Sequence, residues 1–107
     1  MMPERVQLSR TKGWRMPPNT VKVDRSTIFG NPFTVQGARD AGYKGSDAEL
    51  QAMCASFFRN AMLRRLPAVT THLQHIEELR GKNLACWCKP GTPCHADVLL
   101  EFANREG

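Results

Sequence analysis

Four side chains able to bind a metal or act as nucleophile and base fall within ten residues, in the order Cys86-x-Cys88-x5-Cys94-His95. Residues two apart on a strand share a face, so Cys86 and Cys88 are expected to point together, with Trp87 on the opposite face. A turn built on Lys89-Pro90-Gly91-Thr92-Pro93 then returns Cys94 and His95 to the same end of the sheet. Three chemistries suit this set. Cys86, Cys88, Cys94 and His95 are zinc ligands by type, although the spacing is not the paired C-x2-C of common zinc sites and the adjacent Cys94 and His95 aim at one ion with difficulty. Alternatively, Cys94 lies in the first turn of a helix, where free amides and the positive dipole end favour a thiolate and a bound anion. Cys94 or Cys86 would then be a nucleophile with His95 as base or proton donor, and Asp97 would cap the helix or orient His95. In the third reading the cysteines are small buried hydrophobes and His95 is a hydrogen-bonded cap. Cys54 belongs to this last class, because it lies on an apolar helical stripe with no partner in sequence.

The charge distribution supplies a second set of candidates. The 107 residues carry 15 Lys and Arg against 10 Asp and Glu, a net charge of +5. Six of those basic side chains and only two acids lie before residue 26, so the first quarter of the chain holds a net of +4. Arg10, Lys12, Arg15 and Arg25 suit bidentate or point-charge contacts with phosphate, and Trp14 among them could stack on a base or sugar. Asn31, in the run Gly30-Asn31-Pro32-Phe33, could offer an amide to a ligand or simply hold its own turn. The expected partner is an anionic small molecule, a nucleotide or nucleic acid. His72, His75 and Glu78 recur at helical spacing and read as an ordinary solvated face.

Elements to position these residues can be read from periodicity. Residues 5–9 and 20–24 alternate as short strands, and Pro17-Pro18 excludes helix between them. Residues 34–45 read as loop or a short helical turn. Ser46-Asp47-Ala48-Glu49 is a capping box opening a helix whose stripe is Leu50, Cys54, Phe57 and Ala61, with Met53, Phe58 and Met62 beside it. Pro67 ends that helix and suits the start of the next, which turns Val69, Leu73, Ile76 and Leu79 inward and stops at Gly81. Asn83–Cys88 reads as a buried strand, and Cys94 or His95 opens a last helix with Val98, Leu99 and Phe102 on its apolar side. The expected fold is α/β: a small single-layer mixed sheet of three to four strands packed with about three helices, forming a single domain over 1–107. Hydrophobic content of 41% and charged content of 23% fit a globular chain. Its longest apolar stretches are too short for a membrane-spanning helix, and Met1-Met2-Pro3-Glu4-Arg5 does not begin a secretory signal, so the cytoplasm is the expected location.

Four segments together carry a family resemblance: Arg10–Arg15, Gly30-Asn31-Pro32-Phe33, Leu79–Cys88 and Cys94-His95-Ala96-Asp97-Val98-Leu99. In these the chain resembles the bacterial and phage domain-of-unknown-function family forty-three twenty-six, from about Val6 to Asn104. The resemblance implies a stand-alone domain of bacterial or phage origin and implies no particular reaction. A weaker similarity, to family four eighty-eight, covers only Cys86, Cys94 and His95 and leaves Cys88 outside the shared pattern. The preferred reading is an anion pocket formed by the Cys-His helix start and the basic N-terminal loop, in a cysteine-dependent enzyme acting on a phosphorylated or nucleotide ligand. The alternative is a non-catalytic nucleic-acid-binding or phage accessory protein whose Cys/His cluster holds zinc or only packs.

Overall fold

A computed structural model describes residues 3–89 and 91–105. Pro90 of the expected turn, and Met1 and Met2, lie outside the described residues. Three strands, β1 (Arg5–Gln7), β2 (Thr20–Lys22) and β3 (Asn83–Cys86), form a sheet in the order β1-β3-β2. The α/β class holds, with parallel pairing throughout: Val6 lies opposite Ala85, and Val21 opposite Leu84. The expected mixed sheet gives way to a parallel one because β3, last in sequence, inserts between the first two strands. The 8–19 loop must therefore recross the sheet before β2 begins. Asn19, in the left-handed region at φ 57°, makes the return turn and ties it to β3: its side chain donates to the Gly81 carbonyl, and its own carbonyl accepts from the Asn83 amide. As the central strand, β3 is the most buried, and Leu84, Ala85 and Cys86 are all shielded from solvent. Strands covered on both faces read as continuous apolar runs, and Leu-Ala-Cys is such a run.

The connection from β2 to β3 carries the helices α1 (Val35–Asp40), α2 (Asp47–Arg64) and α3 (Thr70–His75). Ser46 caps α2 as the sequence predicts, with its hydroxyl accepting from the Glu49 amide while the Glu49 carboxylate accepts from the Ser46 amide. At the other end Arg65 turns left-handed, at φ 54°, and Pro67 opens a 3-10 turn leading into α3. A second 3-10 turn, Ile76–Leu79, closes this segment before Gly81, whose φ of 75° suits a residue without a Cβ. The last helix, α4 (His95–Ala103), has Cys94 as its N-cap. Phe58, Met62, Val69, Leu79, Leu84 and Leu99 interlock as the core between sheet and helices. Phe57, expected in the main stripe, lies instead at its margin, edge-on to Phe33 and tilted against Tyr43. Among the described residues no helix is long and apolar enough to cross a membrane.

Candidate functional site at the carboxyl end of the sheet

All three strands run the same way, so the residues following them emerge at one edge. β1 is followed by Leu8, Ser9 and Arg10; β2 by Val23, Asp24 and Arg25; β3 by Trp87 and Cys88. Open parallel sheets bind ligands outside this carboxyl edge, where loops diverge and helix N-termini arrive. A cavity of about 380 Å³ lies there, and its lining includes Arg25, Asn31, Cys86, Trp87, Cys94 and His95. Cys86, Cys94 and His95 are buried in its wall, as are Asp24 and Cys54, whereas Arg25 and Trp87 are exposed.

The Cys86 and Cys94 sulfurs stand 3.2 Å apart, and with Cys88 they form a cluster whose sulfur atoms all lie within 4.8 Å of one another. The expected strand stops two residues early, at Cys86, because the ladder ends with Leu8 donating to the Cys86 carbonyl and Val23 to that of Ala85. Alternation therefore does not carry through Trp87, which lines the same cavity as the cysteines instead of facing away. A bend at Trp87-Cys88, not strand geometry, turns the Cys88 sulfur inward. All four cysteines are free thiols.

Thiols this close titrate as one group. Hydrogen bonds from Cys88 and Cys94 lower the Cys86 pKa, and donation to Cys86 raises that of both donors, so the cluster favours a thiolate at the strand end over one at the helix start. Cys54 is buried, and loss of solvent raises its thiol, as its place in the packed helix stripe requires.

His95 Nε2 lies 2.6 Å from the Val23 carbonyl, which can only accept, so Nε2 carries the proton. Burial lowers the imidazole pKa and keeps the ring neutral, which leaves Nδ1 as a bare acceptor 3.6 Å from Cys94 Sγ. The group that orients His95 is thus a backbone carbonyl. Asp97, expected to do this, turns away and pairs with Arg5 at 2.9 Å. His95 also stands outside the three-sulfur cluster, since the extended backbone of Cys94 and the helical start of His95 send the neighbouring side chains in different directions.

The basic candidates divide. Arg25 lines the cavity, and the Arg10 guanidinium stacks 4.8 Å above the Trp87 ring. Lys12, Trp14 and Arg15 are exposed on the 8–19 loop and are not among the lining residues. Asn31 lines the cavity with its amide already engaged, accepting from the Phe33 amide and donating to the Cys54 carbonyl.

Two supporting residues, Arg5 and Asp24, were not singled out by sequence reasoning, and a third, His72, was read differently. The Arg5 guanidinium donates to the Lys89 and Thr92 carbonyls and to Asp97, clamping the loop that carries Cys88 to the start of α4. Asp24 accepts from Ser26 and from the Trp87 indole; burial alone would raise its pKa, but these hydrogen bonds outweigh it and hold the carboxyl below its ordinary value. The Asp-x-Ser spacing was the available signal, since Asp commonly bonds the backbone two residues on. His72, expected on a solvated face, is buried against Phe58 with Nε2 donating to the Gly30 carbonyl at 2.8 Å. The 3-10 turn before α3 sets the helix phase that brings it inward. His75 does stay outside, paired with Glu78.

With this geometry established, residues 6–105 match the domain of unknown function DUF4326. The chain belongs to that family. It is 33% identical over 85 residues to a protein of Enterobacteria phage T4 described as an uncharacterized 12.4 kDa protein in the nrdA-td intergenic region, covering 79% of this chain and 68% of that one. No solved structure matches. The matched span takes in the Arg10–Arg15 loop, both ends of the cavity and the whole Cys86–His95 segment.

Proposed function

We propose that this DUF4326 member binds an anionic small molecule of the nucleotide or phosphorylated class in the cavity at the carboxyl edge of its sheet, where its Cys-His end acts on the ligand as in a transferase or hydrolase. The observation that carries this reading is convergence: Arg25 after β2 and Trp87 after β3, with Arg10 after β1 stacked on Trp87, border a cavity whose buried lining includes Cys86, Cys94 and His95. Arg25 supplies charge and donors to a phosphate. Arg10 and Trp87 together form a stacking face for a base or sugar. The carboxylate in the lining, Asp24, does not oppose an anion strongly, because Ser26 and the Trp87 indole already occupy its oxygens.

Titration calorimetry of the full chain with inorganic pyrophosphate and with nucleoside diphosphates tests the reading. Binding is expected, and Arg25→Ala should weaken it about tenfold, the loss typical of one charge-assisted contact. Absence of binding at millimolar ligand would reject it. The exposed Lys12, Trp14 and Arg15 favour a second reading in which the anion is a nucleic-acid backbone. In that case affinity for single-stranded DNA or RNA should fall steeply with salt and depend on Lys12 and Arg15 more than on Arg25.

A further inference from the structure

We infer that Cys86, Cys88 and Cys94 hold one zinc ion as a three-thiolate site whose fourth position opens into the cavity. The three sulfurs come from a strand end, a bend and a helix cap, yet all lie within 4.8 Å of one another. Around tetrahedral zinc with bonds of about 2.3 Å, neighbouring sulfurs are about 3.8 Å apart. The Cys86–Cys94 separation of 3.2 Å needs to open by about 0.6 Å to match. A nucleophilic cysteine needs one thiol and a base, and two further sulfurs at its side would invite internal disulfides. Three soft donors around one point instead have a single-ion use, and thiolates select zinc over magnesium or calcium.

The surroundings fit the charge of such a centre. Zinc bound by three thiolates, with whatever thiol protons remain released to solvent, makes a group of net charge −1 with a water in the fourth position. The N-terminus of α4 lies against it through Cys94, the N-cap residue. Arg5 supplies positive charge on the Cys88 side and fixes the connecting loop by gripping the Lys89 and Thr92 carbonyls. His95 lies outside the sulfur cluster, which leaves the fourth position to a water; its Nε2 bond to the Val23 carbonyl fixes the ring without occupying Nδ1. The imidazole stands in the cavity lining instead, with a proton-accepting Nδ1. The open position therefore faces the space assigned above to the anion. That last clause rests on the anion-cavity reading; the metal count does not.

Elemental analysis of the full chain, purified without added metal or chelator, should give about one zinc per chain. Cobalt exchanged into the unsubstituted protein should show thiolate-to-metal charge transfer in the near ultraviolet and tetrahedral bands in the visible. Cys88→Ser, the mildest ligand change because Cys88 is only half-buried, should drop zinc below about a tenth of an equivalent while the far-ultraviolet dichroism stays unchanged. Cys54→Ser and His95→Ala should both keep the metal. A chain that takes up neither zinc nor cobalt, and whose three thiols all react with a disulfide reagent in the native state, would overturn the site. So would loss of zinc in His95→Ala, which would make the imidazole a ligand and close the fourth position. Inorganic phosphate is the probe for that position: a shift of the visible cobalt bands supports it. Full cobalt loading with no phosphate response leaves the three-thiolate metal count standing and overturns its open position toward an anion, whereas the anion cavity stands or falls with the pyrophosphate calorimetry.

Discussion

Two regions of the molecule hold most of its chemistry-bearing side chains, and they are built in opposite ways. At the carboxyl end of the sheet, each important group is fixed by contacts that leave it little freedom: His95 by the Val23 carbonyl, Trp87 by Asp24, and the Cys88 loop by Arg5. In the 8–19 loop, Lys12, Trp14 and Arg15 lie exposed. The first region needs its rigidity because thiols and imidazoles act only at short range and in fixed orientation. A basic loop needs none before its ligand arrives, since charge attracts over a Debye length of about 8 Å. Under the proposed function the loop would recruit the ligand and the sheet end would act on it, so damage to the two should have different signatures.

The largest effect should come from Phe58→Ala. Phe58 is fully buried, with the His72 ring edge-on at 5.2 Å and the His95 ring edge-on at 5.7 Å. Both rings bond carbonyls of the segment between β2 and α1, so this one side chain props the cavity wall and the base together. Urea unfolding should show a loss of about 3–5 kcal/mol. A loss under about 1 kcal/mol would mean that the core collapses around the gap and that the histidines are not held through it.

Arg5→Met comes next. The guanidinium is almost covered, and its removal leaves the Thr92 carbonyl without a donor and breaks the ion pair with Asp97, while the Lys89 carbonyl keeps its bonds from Thr92. A cost of about 2–3 kcal/mol is expected. The more diagnostic result is local: Cys88 in metal-free protein should react faster with a disulfide reagent once the loop is released. Unchanged thiol reactivity would break the claim that Arg5 positions the cluster.

The sequence made some of this legible and hid the rest for identifiable reasons. Ser46 and Glu49, Pro67 and Gly81 act locally, through caps and backbone angles, and they mark the start of α2 and the two ends of the helical segment after it. That this segment is α-helical only over Thr70–His75, between two 3-10 turns, did not follow from them. The convergence of Cys86, Cys88 and Cys94 was readable from spacing, because the connecting loop is too short to take them apart. The parallel order β1-β3-β2 was not, since strand pairing across some sixty residues leaves no local mark. The same holds for Arg5, whose partners lie 84 to 92 residues away, and for His72, whose partner carbonyl is 42 residues away. Gly30 shows how such constraints look in one dimension. It reads as part of a turn, yet a Cβ there would meet the Arg25 Cα at 2.8 Å, so the glycine is required by the close approach of the cavity wall.

A smaller and reversible effect should come from Asp24. Because its folded pKa is depressed, folding favours the carboxylate, and this contribution is fully present above the ordinary aspartate value of about 3.9. It is lost as pH falls through the lower folded value. In a Trp14→Phe background, Trp87 fluorescence should report that loss as the indole gives up its acceptor. Asp24→Asn should keep most of the fluorescence signal at neutral pH and abolish its titration in acid. A titration that survives Asp24→Asn would assign the transition to another group.

The smallest effect on stability should come from Arg15→Ala and Lys12→Ala, within about 0.5 kcal/mol, because neither side chain is buried. What they should change is the rate of association with an anionic ligand. Removing either charge should slow binding at low salt and leave dissociation nearly unaltered, with the difference vanishing as salt rises. Arg25→Ala should behave in the opposite way, speeding dissociation at every salt concentration, because its charge borders the cavity itself. Stopped-flow binding at several ionic strengths separates the two patterns. If Lys12 and Arg15 proved to govern dissociation, the exposed loop would have to close over the ligand, and the division between a recruiting region and a reacting one would fail.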